Sequence, residues 1–220
     1  MINLKEVKKN PLVLEFLKQT EKTLKKQNYT DHGIGHAELV TARAGTLARE
    51  IGLTKREQEL VEIAAFCHDF ANFLSRSHHN YLGALSFQQI FSNDFTPEEL
   101  ALIMQAIANH DTYEMRFCSQ IAAIVVLADK SDVRSSRVTI KDKELIDNDI
   151  HNRVNMAART SKLGIDKKKR LITLSLKIDT NIVPIMEYFE IFTERMVFCR
   201  KAAHYLDYKF GLVINNFKLL

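Results

Sequence analysis

The chain has no tryptophan, and its 220 residues include only three cysteines, three prolines and seven glycines. The cysteines, Cys67, Cys118 and Cys199, stand far apart with no CxxC spacing, which excludes a disulfide scaffold and a zinc ribbon and leaves packing as their role. No apolar run approaches the ~20 residues that cross a bilayer. The N-terminus, "MINLKEVKKNPLVLEFLKQ", carries scattered charges and no signal-peptide core, so a cytoplasmic protein with no membrane partner is expected. There is no internal repeat and no low-complexity tract. Strong charge is missing too. Thirty-one basic and 27 acidic residues leave a net +4, which suits an anionic small ligand but is too small to argue for a nucleic-acid polymer.

What is present is an ordinary globular composition, 46% hydrophobic and 26% charged, enough for one large or two small domains. Apolar residues recur at helical spacing over most of the first 135 positions, the pattern of short amphipathic helices packed together. Val13, Leu17 and Leu24 share one face. Val40, Ala44, Leu47 and Ile51 share a second, closed by Gly52, and a third helix runs from about Lys55 to Asp69. A fourth is read with Leu82, Ser86 and Ile90 on one face. "TPEEL" begins a fifth, with Thr96 as cap, Pro97 in the first turn and Glu99 completing a capping box. "SQIAAIVVLADKSDV" is apolar enough to lie in the middle of a bundle.

Beyond about residue 155 the period changes to two: Ile172, Leu174, Leu176 and Ile178 alternate with Thr173, Ser175 and Lys177. "ARTSKLGID" and "KFGLVIN" can pair with that strand, the first through a turn around "DKKK". A long helix with the stripe Ile185, Phe189, Phe192, Met196, Cys199 and Ala203 should lie across the sheet. The expected architecture is mainly α: a helical domain over residues 1–150 and an α+β appendage over 151–220, built of antiparallel strands and one long helix. Ile182, Met186 and Ile191 widen the apolar surface of that helix, and a homodimer contact is one use for it.

Extending each helical stripe by three or four residues leads to ionisable side chains. Val40 stepped back gives His36; Val61 and Ala65 stepped forward give His68, next to Asp69. Ile107 leads to His110, Val125 to Asp129 and Leu82 back to His79. Each such group, if buried, needs a partner, and convergence on metal ions satisfies all of them together. Helix bundles build metal sites from ligands that project inward in this way.

In chain order, His36, then His68 with Asp69, then Asp129 resemble the H…HD…D signature of the HD-domain superfamily of metal-dependent phosphohydrolases, over roughly residues 28–137. The resemblance implies that the bundle is an HD domain, that the adjacent His68 and Asp69 both bind metal, and that Asp69 can bridge two ions. His79 in "HNYLGA" and His110 in "IANHD" resemble the additional histidines of two-metal subfamilies. "VLADKSDVRSSR" resembles the corresponding segment of bacterial HD proteins similar to symmetrical diadenosine tetraphosphate hydrolases. "HDFAN" lacks the glycine and lysine of HD-GYP cyclic-dinucleotide enzymes, and the last 70 residues have no counterpart in the compact dinucleotide hydrolases.

His36, His68, Asp69 and Asp129 would hold one ion, and His79 with His110 a second. The cofactor is thus one or two divalent transition metals drawn from iron, manganese, cobalt, nickel and zinc. Metal-activated hydroxide is the expected nucleophile. Lys130, Arg134, Arg137 and Arg76 are candidates for binding substrate phosphate, and His32 and Asp111 for proton transfer or for supporting the ligands from behind, alongside Asp69 in the catalytic set. The reading is hydrolysis of a small phosphorylated metabolite, most plausibly a nucleotide. Its alternatives are a diiron HD-type oxygenase and a non-catalytic sensor of a phosphorylated ligand.

Overall fold

The computed structural model describes residues 2–112 and 114–220. The helical part comprises α1 (Leu4–Val7), α2 (Pro11–Lys26), α3 (Ile34–Ile51), α4 (Lys55–Cys67), α5 (His79–Phe91), α6 (Pro97–Asn109) and α7 (Gln120–Lys130). The two short helices α8 (Lys143–Asn148) and α9 (Ile150–Ala157) follow. The C-terminal part contains β1 (Ala158–Asp166), β2 (Leu171–Ile178), α10 (Ile185–Tyr205), β3 (Lys209–Ile214) and β4 (Phe217–Lys218).

Local chemistry fixes several boundaries. Thr54 and Thr96 each close a capping box, with Glu57 and Glu99, and Pro97 occupies the first turn of α6. Gly52 ends α3 at φ 96°, where a side chain would be strained. Every residue of α7 from Ile121 to Lys130 is buried, since α3, α4, α6 and α10 surround it. It is the axis of the bundle. Its last turn therefore delivers Asp129 and Lys130 into the interior, not to solvent.

On α5 the buried face is His79, Gly83, Phe87 and Phe91, one position on from the expected Leu82, Ser86 and Ile90, which are half-buried. Glycine carries no hydropathy signal, so the column that aims His79 inward is concealed at Gly83. Cys67 and Cys199 are buried, as expected for packing, but Cys118 is exposed.

The sheet corrects the expectation of antiparallel strands alone. Its order is β1-β2-β3-β4, with β1 antiparallel to β2 through the turn at 167–170, but β2 and β3 run parallel. Parallel neighbours need a crossover, and α10 supplies it. This helix packs most extensively against α7, and also against β3 and α9. Tyr188, Phe192, Met196, Phe198, Cys199, Ala202 and Ala203 are all buried. Contact with α7 accounts for the width of the apolar stripe within one chain, whereas Met186 and Ile182 stay exposed. The expected division at residue 150 falls on the first residue of α9, which continues into β1 without a linker.

Candidate metal centre and substrate cleft

Helix ends build the site. His36 lies in the first turn of α3, His79 begins α5, His68 and His110 cap the C-termini of α4 and α6, and Asp129 stands in the last turn of α7. These elements bring all six expected ligands together. His36 and His68 are fully buried, and His79, His110 and Asp69 nearly so.

Each imidazole has its Nδ1 tied to an acceptor. That atom of His36 lies 2.7 Å from Asp132 Oδ2, and those of His68, His79 and His110 lie 2.7, 2.8 and 2.7 Å from the carbonyls of Ala65, Arg76 and Ile107. A carbonyl accepts only, so the proton resides on Nδ1 and the Nε2 lone pairs face inward. They meet in two pairs, His36 with His68 at 3.2 Å and His79 with His110 at 3.0 Å. Facing lone pairs repel unless a proton or a cation lies between them.

Asp69 spans the two pairs. Its Oδ2 is 3.4 Å from His36 Nε2 and 3.3 Å from His68 Nε2, whereas its Oδ1 is 3.2 and 3.3 Å from those of His79 and His110. Asp129 Oδ1 joins only the first pair, at 3.3 and 3.6 Å. The donor atoms of His36, His68 and Asp69 are close enough to share one ion, as are those of Asp69, His79 and His110; His68, His110 and Asp129 form an overlapping set. Imidazole nitrogen with carboxylate oxygen is a transition-metal donor set, so the residues fit the group.

Electrostatics agree. Burial alone would lower the His68 pKa, yet Asp69 and Asp129 outweigh it and raise it to about 10. Burial works to raise Asp69 and Asp129, but His68 and its neighbours hold Asp69 well below the usual range, and Lys130 with His36 and His68 does the same for Asp129. The cluster attracts positive charge.

The other expected residues separate into those that reach the cleft and one that does not. A cavity of about 20 Å³ beside the ligands is lined by His32, Arg76, Asp111, Lys130 and Arg137 as well as by Asp69, His79, His110 and Asp129. Lys130 Nζ bonds to Asp111 Oδ1 at 2.8 Å and lies 3.1 Å from Asp129 Oδ2. The Asp111 carboxyl is accordingly held low by Lys130 despite burial, and stays ionised. His32 has Nδ1 2.6 Å from the Thr30 carbonyl, and burial with Arg137 nearby keeps its ring neutral. Arg137 donates to the carbonyls of Asp31 and Asp132, with its Nη2 buried and unpartnered. Arg134 does not line this cavity. Its guanidinium is committed to Asp132 Oδ1 at 2.7 Å, Ser136 Oγ at 2.7 Å and the Gly35 carbonyl, so it buttresses Asp132.

Three residues were not anticipated. Asp132 orients His36, and Asn72 Nδ2 donates to Asp69 Oδ1 at 2.8 Å while its own oxygen accepts from Arg76 at 2.9 Å. Each lies three positions after a ligand on the same chain turn, which is the signal that points to them. Arg195 of α10 also lines the cavity, so the C-terminal part reaches the site.

The family model described as HD domain matches residues 33–134. No curated protein matches the chain. Among solved structures, it is similar to a "predicted HD superfamily hydrolase" from an uncultured Thermotogales bacterium, at 24% identity over 61% of this chain and 76% of that one, with a TM-score of 0.44.

Proposed function

We propose that this chain, which carries an HD domain over residues 33–134, is a metal-dependent hydrolase whose substrate is a small phosphorylated metabolite, by preference a nucleotide. The observation that carries the reading is the conjunction of two facing imidazole pairs bridged by Asp69 with a rim of Arg76, Lys130 and Arg137. Carboxylates and imidazoles suit the metal; the cations suit a phosphoryl group.

His36, His68, Asp69 and Asp129 would hold one ion and Asp69, His79 and His110 a second. A divalent metal here supplies Lewis-acid stabilisation of phosphoryl oxygens and acidifies water at neutral pH. Lys130 stays protonated because Asp129 and Asp111 outweigh its burial, and serves as a point charge toward phosphate. Asp111 orients Lys130 through their 2.8 Å bond. Held ionised by that lysine, it is a poor proton donor. His32 is the better candidate for moving a proton, because Nδ1 is committed to Thr30 and Nε2 of the neutral ring is free to accept one. Arg76 brings a guanidinium to the rim and Arg137 its unpartnered Nη2, both suited to phosphate oxygens.

The test is elemental analysis of protein purified without chelator, followed by a screen of phosphate esters. Bound transition metal and metal-dependent phosphate release support the reading. Substoichiometric metal that is not restored on adding iron, manganese or zinc would reject it. Oxygen consumption without phosphate release would favour the diiron oxygenase instead, and tight binding of a phosphate ester without turnover would favour the sensor.

A further inference from the structure

A second cavity, of about 100 Å³, adjoins the metal cleft and shares His32, Arg76 and Arg195 with it. Its far wall is the turn and helix that open the C-terminal part, including Asn152 and Asn155 of α9. Two features of this wall are unusual for a folded interior.

The first is a pair of orphaned acceptors. Asn152 and Asn155 are 2% and 5% exposed. Asn152 gives its amide to the Asn28 carbonyl at 3.1 Å, and Asn155 gives its own to the His151 carbonyl at 2.8 Å. Both Oδ1 atoms are left buried with no partner. An unsatisfied buried acceptor is costly, so two of them on residues that line one cavity mark a place where donors from outside the chain belong.

The second is Arg195. Its guanidinium carbon lies over the Phe192 ring, 4.7 Å from the ring centre. No hydrogen bond or ion pair joins it to a side chain among the described residues, although it is half-buried against the cavity. On the helix it flanks the buried stripe of Phe192, Met196 and Cys199, three residues after Phe192. Asp149, the acid on the same wall, is already used: its Oδ1 caps α9 at the Asn152 amide, 2.8 Å away.

We propose that this cavity is the subsite for the organic part of the substrate, and that the appendage builds it: Arg195 takes a phosphate oxygen beside Arg76, while Asn152 and Asn155 accept hydrogen bonds from hydroxyl or amino groups. The ligand class is a phosphate monoester whose organic part carries such donors, as ribose phosphates and nucleoside monophosphates do. The inference deepens the phosphohydrolase reading and rests on it for the orientation of the phosphate. It requires residues from both ends of the chain, so the appendage is part of the binding site and not merely a cover.

The experiment is calorimetric binding to the full-length protein, with chelator and again with metal, using AMP, ribose 5-phosphate and methyl phosphate. AMP or ribose 5-phosphate should bind at least tenfold tighter than methyl phosphate. The tighter of the two tells whether a base or only a sugar fills the cavity. Arg195→Met should weaken all binders about tenfold, and Arg195→Lys should recover part of the loss. Asn155→Ala, or Asn152→Ala if the first melts early, should lower affinity for the donor-bearing esters and leave methyl phosphate unchanged. Equal affinity for all three probes in the wild type, or unchanged affinities in Arg195→Met, would overturn the proposal. Phosphate release is measured in parallel. Selective binding with no turnover of any ester refutes the hydrolase reading alone; turnover indifferent to these variants refutes the subsite alone.

Discussion

Asp132 Oδ2 lies 2.7 Å from Nδ1 of His36, the one histidine of the cluster whose Nδ1 faces a carboxylate and not a main-chain carbonyl. A carboxylate raises the basicity of the opposite nitrogen and fixes the ring plane, and loss of such a partner typically lowers metal affinity about 10–100-fold. Asp132 is itself held by Arg134 at 2.7 Å. Asp132→Asn should therefore weaken metal binding by about tenfold or more without removing a ligand, read by competition with a chelating dye. Affinity equal to wild type would show that His36 is oriented by packing alone.

The two imidazole pairs predict unequal consequences for their loss. His110→Ala spares His36, His68, Asp69 and Asp129, so about one ion per chain should remain while most turnover disappears, as a two-ion clamp requires. Asp69→Ala removes the atom pair shared by both sites and should empty both. Chelation of the wild type should lower the melting temperature, since a ligand at about a thousand times its Kd stabilises by roughly 4 kcal/mol. Elemental analysis and melting curves decide; equal metal content in the two variants would contradict a bridging Asp69.

Much of this site was legible because a buried face that ends in an ionisable residue breaks a pattern. That rule reaches His36, His68, His110 and Asp129 from the residues alone, and the fold places all four together. It reached His79 too, although along a face one position off, because Gly83 is silent in hydropathy. The rule does not lead to Arg195, because the buried stripe of α10 passes beside it through Phe192, Met196 and Cys199. Which elements of the C-terminal part meet α7 is a long-range packing outcome, and so is the parallel pairing of β2 with β3. Neither leaves a local periodic trace.

Gly83 should govern the second ion through geometry. A Cβ added there would stand 3.1 Å from Ile107 Cγ2 and 3.6 Å from the His68 carbonyl, so the glycine permits the approach of α5 that brings His79 to His110. Gly83→Val would overpack this contact, at a cost of about 1–3 kcal/mol, and displace α5. Metal content should fall toward one ion per chain, with His36 and His68 still loaded. Unchanged stoichiometry together with a lowered melting temperature would mean that the backbone absorbs the strain elsewhere.

Away from the cleft, Glu99 offers a pH-dependent term of predictable sign. Its Oε1 accepts from Arg56 Nε at 2.6 Å and its Oε2 from the Thr96 amide at 3.1 Å. The Arg56 bond, opposed by burial and reinforced by the cap, lowers its pKa from the ordinary 4.5. A carboxylate lowered by folding stabilises fully above its unfolded value, and the contribution is lost as pH falls from 4.5 through the lowered value. The side chains are 29% and 13% exposed and Arg56 is shared with Glu59 at 2.5 Å, so solvent screening limits the ionic part to about 1 kcal/mol or less. Glu99→Gln should thus destabilise by roughly that amount at neutral pH, measured by urea unfolding. The gap between the variant and wild type should shrink as the solution is taken well below the ordinary glutamate pKa, because wild-type Glu99 then becomes neutral as well. A gap of constant size across that range would assign the loss to the cap geometry and remove the ionic explanation.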